Sequence, residues 1–301
     1  MKSLPIERAE HKRLESAFRE WLELTGYGES SIYNMPHCVR EFFHWLESQN
    51  KFLERVSSSD IDTYFFHLSR RRKQRGRTGA LRTGYLHKHL QALRQFSRYL
   101  RETGQPFFEA EIKLPEQSYQ VKTVLTRSEI SSLYEACDGS PLGLRDRAML
   151  SVFYGCGLRR SEATGLDTGD VLTGKNLLYV RKGKNYRERY VPLTSDIRSD
   201  LEGYLYYGRP AHLKNPLEEA FFVSERGSRI QGQSLFMRLK KLLKKAGIDP
   251  DRTEQTGLHT LRHSIATHLL QGGMQLSQIA RFLGHDSLES TQIYTHIAGN
   301  L

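Results

Sequence analysis

The sequence contains little cysteine. Its three cysteines, Cys38, Cys137 and Cys156, lie far apart and form no Cys-x-x-Cys pair. This spacing leaves no basis for a disulfide framework or a zinc knuckle, and it fits a protein of the reducing cytosol.

Long apolar runs and repeated segments are also missing. Residues 1–8 lack the apolar core of a signal peptide, and no stretch is apolar over the length that crosses a bilayer. Internal repeats and low-complexity segments are absent from the sequence as well. We therefore expect a soluble, cytoplasmic protein.

What the sequence does have is an ordinary globular composition and an excess of positive charge. A hydrophobic content of 38% predicts a folded protein, and 301 residues allow two domains of usual size. Lysine and arginine outnumber aspartate and glutamate by 45 to 34, which gives a formal charge of +11. This charge favours a polyanionic partner, either nucleic acid or an acidic membrane surface, and does not choose between them.

Helical spacing dominates the first third of the chain. Between residues 13 and 103 apolar side chains recur at intervals of three and four, which predicts four helices. Ser31 and the run 57–60 supply N-cap side chains for the second and third of them. Gly26 and Gly104 mark helix ends.

A change of composition separates this part from the rest. Residues 104–123 contain Pro106 and Pro115 and lose the helical period. Thr126 and Glu129 then form the signature of a new helix cap. We therefore divide the chain into a helical domain, 1–110, a linker, 111–123, and a second domain, 124–301.

The second domain mixes helices with a predicted β-hairpin. Two strands, 177–180 and 190–193, enclose the turn formers Gly183 and Asn185, and basic residues lie at the tip. Helical spacing returns from Ser195 onward. The expected fold class is mostly α with a small β-sheet, an all-helical domain followed by an α+β domain. Further helices are predicted at 126–137, 144–154 and 161–166, and a short apolar run interrupts the later helices at 221–223.

A run of cations follows the third predicted helix. Such a run is often only a solvated loop. The next helix, however, carries further basic residues among its core positions, which is the pattern of a face that follows a phosphate backbone. The residues that we expect to contact nucleic-acid phosphates are Arg70, Arg71, Arg72, Lys73, Arg75, Arg77, Lys88 and Arg94.

Arg159 and Glu162 are the first candidate site residues. Alone, an arginine after an apolar helix is usually surface charge. Glu162 lies one helical turn beyond Arg159, close enough to hold its guanidinium in a fixed direction.

His259 and Arg262 form a second basic pair, three residues apart and so on one face of a helix. His259 and His263 have the spacing of zinc ligands, but Thr260 stands where a metalloprotease has glutamate. Because no third ligand is evident at a recognisable spacing, we expect no metal. A guanidinium beside an imidazole is instead a site for an oxyanion.

His285 and Tyr294 complete the set near the end of the sequence. A single tyrosine in such a place usually serves packing. Together with the preceding segments and a lysine in the hairpin, these residues supply two arginines, two imidazoles, a lysine and a phenol in order. One phosphoryl-transfer mechanism requires that combination.

These motifs resemble those of the tyrosine recombinase and integrase family, most closely the bacterial Xer-type and the transposon or phage integrases. Residues 157–162 resemble its first-arginine box, 259–262 its His-x-x-Arg box and 283–296 its terminal box. Lys184 resembles the lysine of the family's β-hairpin. Residues 13–103 resemble the helical core-binding domain by order and length.

The resemblance implies a site-specific recombinase that cuts and rejoins duplex DNA through a 3′-phosphotyrosyl bond, without ATP, cofactor or metal. Tyr294 is the implied nucleophile and Lys184 the general acid, while His259 positions the phosphate. The implied partners are double-stranded DNA with an inverted-repeat core site and three further subunits, in a homo-tetramer or a hetero-tetramer with a paralogue, at the bacterial nucleoid. The implied catalytic residues are Arg159, Lys184, His259, Arg262, His285 and Tyr294.

Two other interpretations stay open. A type IB topoisomerase shares this chemistry but needs no partner site, and the helical first domain argues against it. A protein that binds or bends DNA without cutting it would not need the six-residue set. The sequence does not distinguish integration, excision, inversion and dimer resolution.

Overall fold

The chain divides into two compact units, which we call unit 1 (Met1–Tyr119) and unit 2 (Gln120–Leu301). The point of division lies inside the predicted linker, 111–123, and the limits of that linker stay a prediction. The computed structural model describes residues 4–70, 83–115, 123–181 and 188–284.

Unit 1 is built of helices around an aromatic core. Phe18, Phe42 and Phe96 are fully buried. The rings of Phe18 and Phe96 meet edge to face with centroids 5.2 Å apart, a geometry that adds to the effect of burial. The four predicted helices are present in the described residues: α1 (Ala9–Leu24), α2 (Glu29–Ser48), α3 (Ser58–Arg70) and α4 (Thr83–Glu102).

The ends of these helices test the predicted caps. Gly26 and Gly104 have positive φ, 78° and 67°, just beyond α1 and α4, so both predicted helix ends are confirmed. Ser57 and Asp60 bond each other's backbone N–H at the start of α3, as predicted. The prediction for Ser31 is wrong. It lies in the first turn of α2, where its N–H already donates to the carbonyl of Gly28, because the helix begins two residues earlier.

Unit 2 is mostly helical in its described residues. The predicted cap at its first helix is confirmed, because Thr126 Oγ1 accepts from the N–H of Glu129 and Glu129 Oε2 accepts from the N–H of Thr126. No described helix of the chain is both long and apolar enough to cross a membrane. The helices of unit 2 are α5 (Arg127–Glu135), α6 (Pro141–Leu150), α7 (Arg160–Thr164), α8 (Ser195–Gly203), α9 (Gly232–Lys245), α10 (Pro250–Gln255), α11 (Leu258–Gln271) and α12 (Leu276–Leu283).

A small antiparallel sheet accompanies these helices. Leu178 pairs with Val191, and both are fully buried, so one face of the sheet packs on the core. The two predicted strands are confirmed to within one residue. A third, two-residue strand was not predicted, because two residues are too short to show alternation. The strands, in sheet order, are β1 (Val171–Leu172), β2 (Leu177–Val180) and β3 (Arg189–Pro192).

The predicted helix at 144–154 differs in detail from α6. It begins earlier, because Ser140 caps it and Pro141 occupies its first turn. At its other end the regular helix stops at Leu150 and a π-helical turn follows over Ser151–Gly155. Turns of this kind are rare and often lie at functional sites.

Candidate active site

The π-helical turn ends two residues before Gly157, the first residue of the predicted arginine box. Gly157 has a φ of 63°, which favours glycine, and a Cβ there would come within 2.8 Å of Leu283 Cδ2. Leu158 is fully buried, so the next residue, Arg159, emerges at a fixed point as the N-cap of α7.

Arg159 is held by Glu162 in the way that their spacing predicts. The backbone N–H of Arg159 donates to Glu162 Oε2 at 2.8 Å, and its Nη1 donates to Oε1 at 2.9 Å. The other side of the guanidinium faces the end of α12, where Nη1 and Nη2 each lie 3.3 Å from the carbonyl oxygen of Gly284. Arg159 therefore links α7 to the segment that leads into the terminal box.

Arg262 reaches the same place from α11. Only 3% of the residue is exposed. Its Nη1 donates to the carbonyl of Gly157, and its Nη2 donates to the carbonyl of Leu283 at 2.7 Å. Because Nη1 also lies 3.7 Å from Glu162 Oε2, the two predicted arginines share one carboxylate.

A third arginine, Arg189 at the start of β3, completes this cluster and was not predicted. Its Nη1 and Nη2 donate to the two carboxylate oxygens of Glu162 at 3.1 and 2.9 Å, and its Nε donates to the carbonyl of Phe282 at 3.0 Å. A signal was available in the sequence. Side chains two apart on a strand share a face, so Arg189 shares the core-facing side of Val191, whereas Tyr190 between them is exposed.

The charges in this cluster do not cancel. Burial alone would raise the pKa of Glu162, but the hydrogen bonds and charge of Arg189, the backbone N–H of Arg159 and the charge of Arg262 lower it to about 2. Glu162 is therefore ionised at neutral pH. Within the described part of the chain, one carboxylate faces three guanidiniums, so positive charge exceeds negative charge in this largely buried place, which is an environment for an oxyanion.

His259 occupies a different environment on the helix that carries Arg262. It lies in the first turn of α11 and is exposed, whereas Arg262, one turn later, is buried. The start of α11 is fixed by a capping hydrogen bond, in which Thr260 Oγ1 accepts from the N–H of Gly257 at 3.0 Å. The described residues contain no group of three potential ligands of the His, Cys, Asp and Glu types that could hold a metal ion.

The remaining predicted catalytic residues, Lys184, His285 and Tyr294, lie outside the described residues. The flanking residues on the hairpin are Arg181, which pairs with Asp167 and Asp170, and Glu188. The structure therefore brings together Arg159, its predicted partner Glu162 and Arg262, and it adds Arg189 to them.

Arg160, adjacent to Arg159, does not join the cluster. It is exposed, and its stem lies on the start of α9, where a Cβ at Gly232 would come within 2.6 Å of Arg160 Cδ. Of these two neighbouring cations, only Arg159 contacts Glu162 among the described contacts.

The predicted nucleic-acid contacts in unit 1 lie partly within the described residues. Arg70, at the end of α3, is exposed and stacks over Phe66 with its Cζ 4.2 Å from the ring centroid. Lys88 and Arg94 are exposed on α4, and Arg94 Nε donates to the carbonyl of Ala110 at 3.2 Å. Arg71, Arg72, Lys73, Arg75 and Arg77 lie outside the described residues.

Comparison with known proteins decides the family. Residues 123–300 match the model of the phage integrase family, which is more than half of the chain. The chain belongs to the phage integrase family. This integrase-family chain is 35% identical over 281 residues to the tyrosine recombinase XerD of Proteus mirabilis, covering 92% of the chain and 86% of the relative. It is 37% identical over 217 residues to XerC of Oceanobacillus iheyensis, covering 70% and 69%.

Solved structures agree with this assignment. The crystal structure of XerA recombinase is similar over 94% of this integrase-family chain and 93% of its own, with 26% identity and a TM-score of 0.52. The fold also matches the XerH recombinase bound to difH substrate, with 21% identity and a TM-score of 0.70 over 96% of this chain and 82% of that one. The chain is accordingly a tyrosine recombinase, an enzyme of site-specific DNA recombination that cleaves and rejoins DNA strands.

Proposed function

We propose that this recombinase cuts each DNA strand with the hydroxyl of Tyr294. The phenolic oxygen forms a bond to phosphorus, the bond from phosphorus to the 5′-oxygen breaks, and a 3′-phosphotyrosyl link remains. The 5′-hydroxyl of a partner strand then attacks that link and restores tyrosine. Because one phosphoester replaces another, the sequence of steps needs no ATP, and covalent catalysis divides a difficult transfer into two easier ones.

The observation that carries this proposal is the arginine cluster. Arg159 and Arg262 meet around Glu162 with net positive charge left over, as stabilisation of a pentavalent phosphorus requires. In our proposal these two arginines and His285 contact the non-bridging oxygens. Lys184 protonates the departing 5′-oxygen, and His259 positions the phosphate and assists proton transfer at the nucleophile, an effect worth roughly 10²- to 10⁴-fold in rate.

We also propose the assembly in which the reaction takes place. Recombination between two duplexes breaks four strands, and each protomer supplies one Tyr294, so four protomers are required. Two-fold related protomers call for an inverted-repeat core site on double-stranded DNA. Arg70 to Arg77, Lys88 and Arg94 would hold the backbone of that DNA from unit 1, at the nucleoid of a bacterial cytoplasm.

The test compares wild-type protein with Tyr294→Phe on a nicked suicide duplex. The DNA site is obtained by enrichment from a random-sequence duplex library with the Tyr294→Phe variant, which we expect to bind without cutting. Wild-type protein should form a covalent adduct in denaturing gels and the variant none. Tyr207→Phe, which removes the hydroxyl of a tyrosine that is 76% exposed, serves as the matched control and should cleave normally.

Two results would contradict the proposal. An adduct that persists in Tyr294→Phe would assign the nucleophile elsewhere. Fast multiple-turnover relaxation of supercoiled plasmids that lack the enriched site would instead favour the type IB topoisomerase, which acts alone and needs no partner site.

A further inference from the structure

We propose that Arg189 is a positioning residue for the strand-cleavage reaction, an inference that rests on the function proposed above. Arg189 pairs with the carboxylate of Glu162, so that the positive charges of Arg159 and Arg262 remain available to the phosphate. Arg189 itself lies on β3 and would not touch the reacting atoms.

The contacts of Arg189 hold its guanidinium in one orientation. Its fork donates to both oxygens of Glu162 at 3.1 and 2.9 Å, and only 8% of its side chain is exposed. A planar guanidinium facing a carboxylate in this way fixes the orientation of both groups. Arg159 and Arg262 make less complete contacts with Glu162, the first through Nη1 at 2.9 Å and the second at 3.7 Å.

This difference decides how the negative charge of Glu162 is shared. With Arg189 present, both carboxylate oxygens are bonded to it, and the other two guanidiniums keep net positive charge. Without Arg189, the carboxylate would remain buried among Arg159 and Arg262 and would neutralise one of them. A site that must stabilise negative charge on the non-bridging oxygens of the phosphate would then lose part of its preorganised field.

Arg189 also connects this carboxylate to the chain that leads into the terminal box. Its Nε donates to the carbonyl of Phe282 at 3.0 Å. Gly284, with a φ of 65°, packs on the guanidinium so closely that a Cβ would lie 2.8 Å from Nη1. The next residue in the sequence is His285. One arginine thus joins the β-hairpin, the carboxylate of Glu162 and the end of α12.

The experiment is a double-mutant cycle between Arg189 and Glu162. Arg189→Gln, Glu162→Gln and the double variant are compared with wild type on the nicked suicide duplex that carries the library-enriched site. Protein is saturating, so that the single-turnover rate of adduct formation is separated from affinity, which is measured independently by titration. Folding of each variant is checked by circular dichroism.

We expect Arg189→Gln to bind the duplex within about threefold of wild type and to form the adduct roughly 10²-fold more slowly, because neutralising Arg159 or Arg262 has about the effect of removing one oxyanion donor. Because the slower reaction results from a carboxylate that neutralises Arg159 or Arg262, removing the charge of Glu162 should restore part of the rate. The double variant should therefore cleave about tenfold faster than Arg189→Gln. A residue that only supports the fold would give a double variant as slow as, or slower than, the single one.

Two further variants keep the result interpretable. Arg189→Lys retains the positive charge but not the two-pronged guanidinium, and it should lower the rate of adduct formation by roughly tenfold. The proposal therefore remains testable if Arg189→Gln does not fold. Arg181→Gln removes a hairpin arginine paired with Asp167 and Asp170 and should cleave normally. Wild-type rates in Arg189→Lys and Arg189→Gln, or a double variant without rescue, would overturn the assignment. Failure of wild-type protein to form any adduct would instead overturn the proposed function.

Discussion

Arg262 Nη2 donates a hydrogen bond of 2.7 Å to the carbonyl of Leu283, the last residue of α12. The same guanidinium bonds the carbonyl of Gly157, which precedes Arg159 by two residues. An arginine in this arrangement also stabilises the fold, because it donates to two buried backbone carbonyls, and that of Leu283 has besides it only a long contact of 3.5 Å from Arg159 Nη1.

Arg262→Lys should therefore reduce both stability and cleavage. An ammonium group cannot reach both carbonyls with the geometry of the fork, and an unsatisfied buried carbonyl costs about 1–3 kcal/mol. We expect that loss in the free energy of unfolding, together with a roughly 10²-fold slower adduct formation. Arg281→Lys, an exchange at an exposed position of α12, is the control and should change neither quantity.

The stability of unit 1 can be followed by itself, which shows whether an effect of Arg262 is confined to unit 2. Both tryptophans, Trp21 and Trp45, lie in unit 1, so urea unfolding followed by tryptophan fluorescence reports that unit. Circular dichroism reports both. A variant of Arg262 that lowers the fluorescence midpoint would show that the effect is not confined to unit 2.

Gly157→Ala tests the tight approach of the arginine box to α12. The new methyl group would meet Leu283 Cδ2 at 2.8 Å and Phe282 Cε1 at 3.0 Å, on a backbone with a φ of 63°. The steric contact and the left-handed backbone together should lower the free energy of unfolding by about 2 kcal/mol. Adduct formation should also slow, because Arg159 follows two residues later. Gly174→Ala has no atom within 4 Å of the new group and should be close to neutral.

The ionisation of Glu162 predicts a pH-dependent contribution to stability. Burial would raise its pKa, but Arg189, Arg159 and Arg262 lower it from an ordinary 4.5 to about 2. A folded-state pKa below the unfolded value stabilises the fold above pH 4.5, and that stabilisation is lost as the pH falls towards 2. The difference is worth about 3 kcal/mol.

The measurement compares wild type with Glu162→Gln, which cannot ionise. The gap between their free energies of unfolding should stay constant from pH 7 to pH 5 and shrink as the pH is lowered towards 2. Other carboxyl groups that titrate in this range, such as Asp60, are common to both proteins and cancel. A gap that does not change with pH would show that the charge of Glu162 is not what stabilises the cluster.

Lys88→Ala should weaken DNA binding in a salt-dependent manner. Lys88 is exposed on α4, and within the described part of the chain no carboxylate pairs with it. Removing one cation that touches a phosphate reduces the slope of log affinity against log salt by about 0.9. Arg101 on the same helix is paired with Glu109 at 2.8 Å, so Arg101→Ala is the control and should leave the slope unchanged.

A combined variant extends this test to the cation run. Replacing Arg71, Arg72 and Arg75 by alanine should reduce the slope by about 0.9 for each of these side chains that binds a phosphate, with little change in sequence preference. An unchanged slope would show that the run is only a solvated loop.

Lys184, rather than Lys182, should act as the general acid. Lys184→Ala is expected to lose cleavage on normal DNA and to regain it when sulfur replaces the bridging 5′-oxygen, because a thiolate leaves without needing a proton. The rate of adduct formation on both duplexes measures this. Rescue confined to Lys182→Ala would reverse the assignment, and equal weakening of binding in both variants would reduce the two lysines to phosphate contacts.

Local sequence patterns were enough to predict the helices of the first third of the chain, the capping box at Thr126, the two main strands and the pairing of Arg159 with Glu162. Each of these depends on residues near one another in the chain, where a spacing of two, three or four specifies which side chains meet. The error at Ser31 has the same local nature, since a polar residue near a helix start need not be its cap, and the folded backbone begins α2 after Gly28, where no side chain caps the helix.

Only the packing of distant segments established that Glu162 serves three arginines rather than one. Arg189 lies 27 residues from Glu162, and Arg262 bonds Gly157 across 105 residues. Contacts at such separations follow from how α7, β3, α11 and the end of α12 pack together, and no local period encodes them. Alternation with Val191 places Arg189 on the buried face, but it does not name the carboxylate that Arg189 meets there. Buried charge is stable only when several partners converge on it, and convergence is a property of the packed molecule.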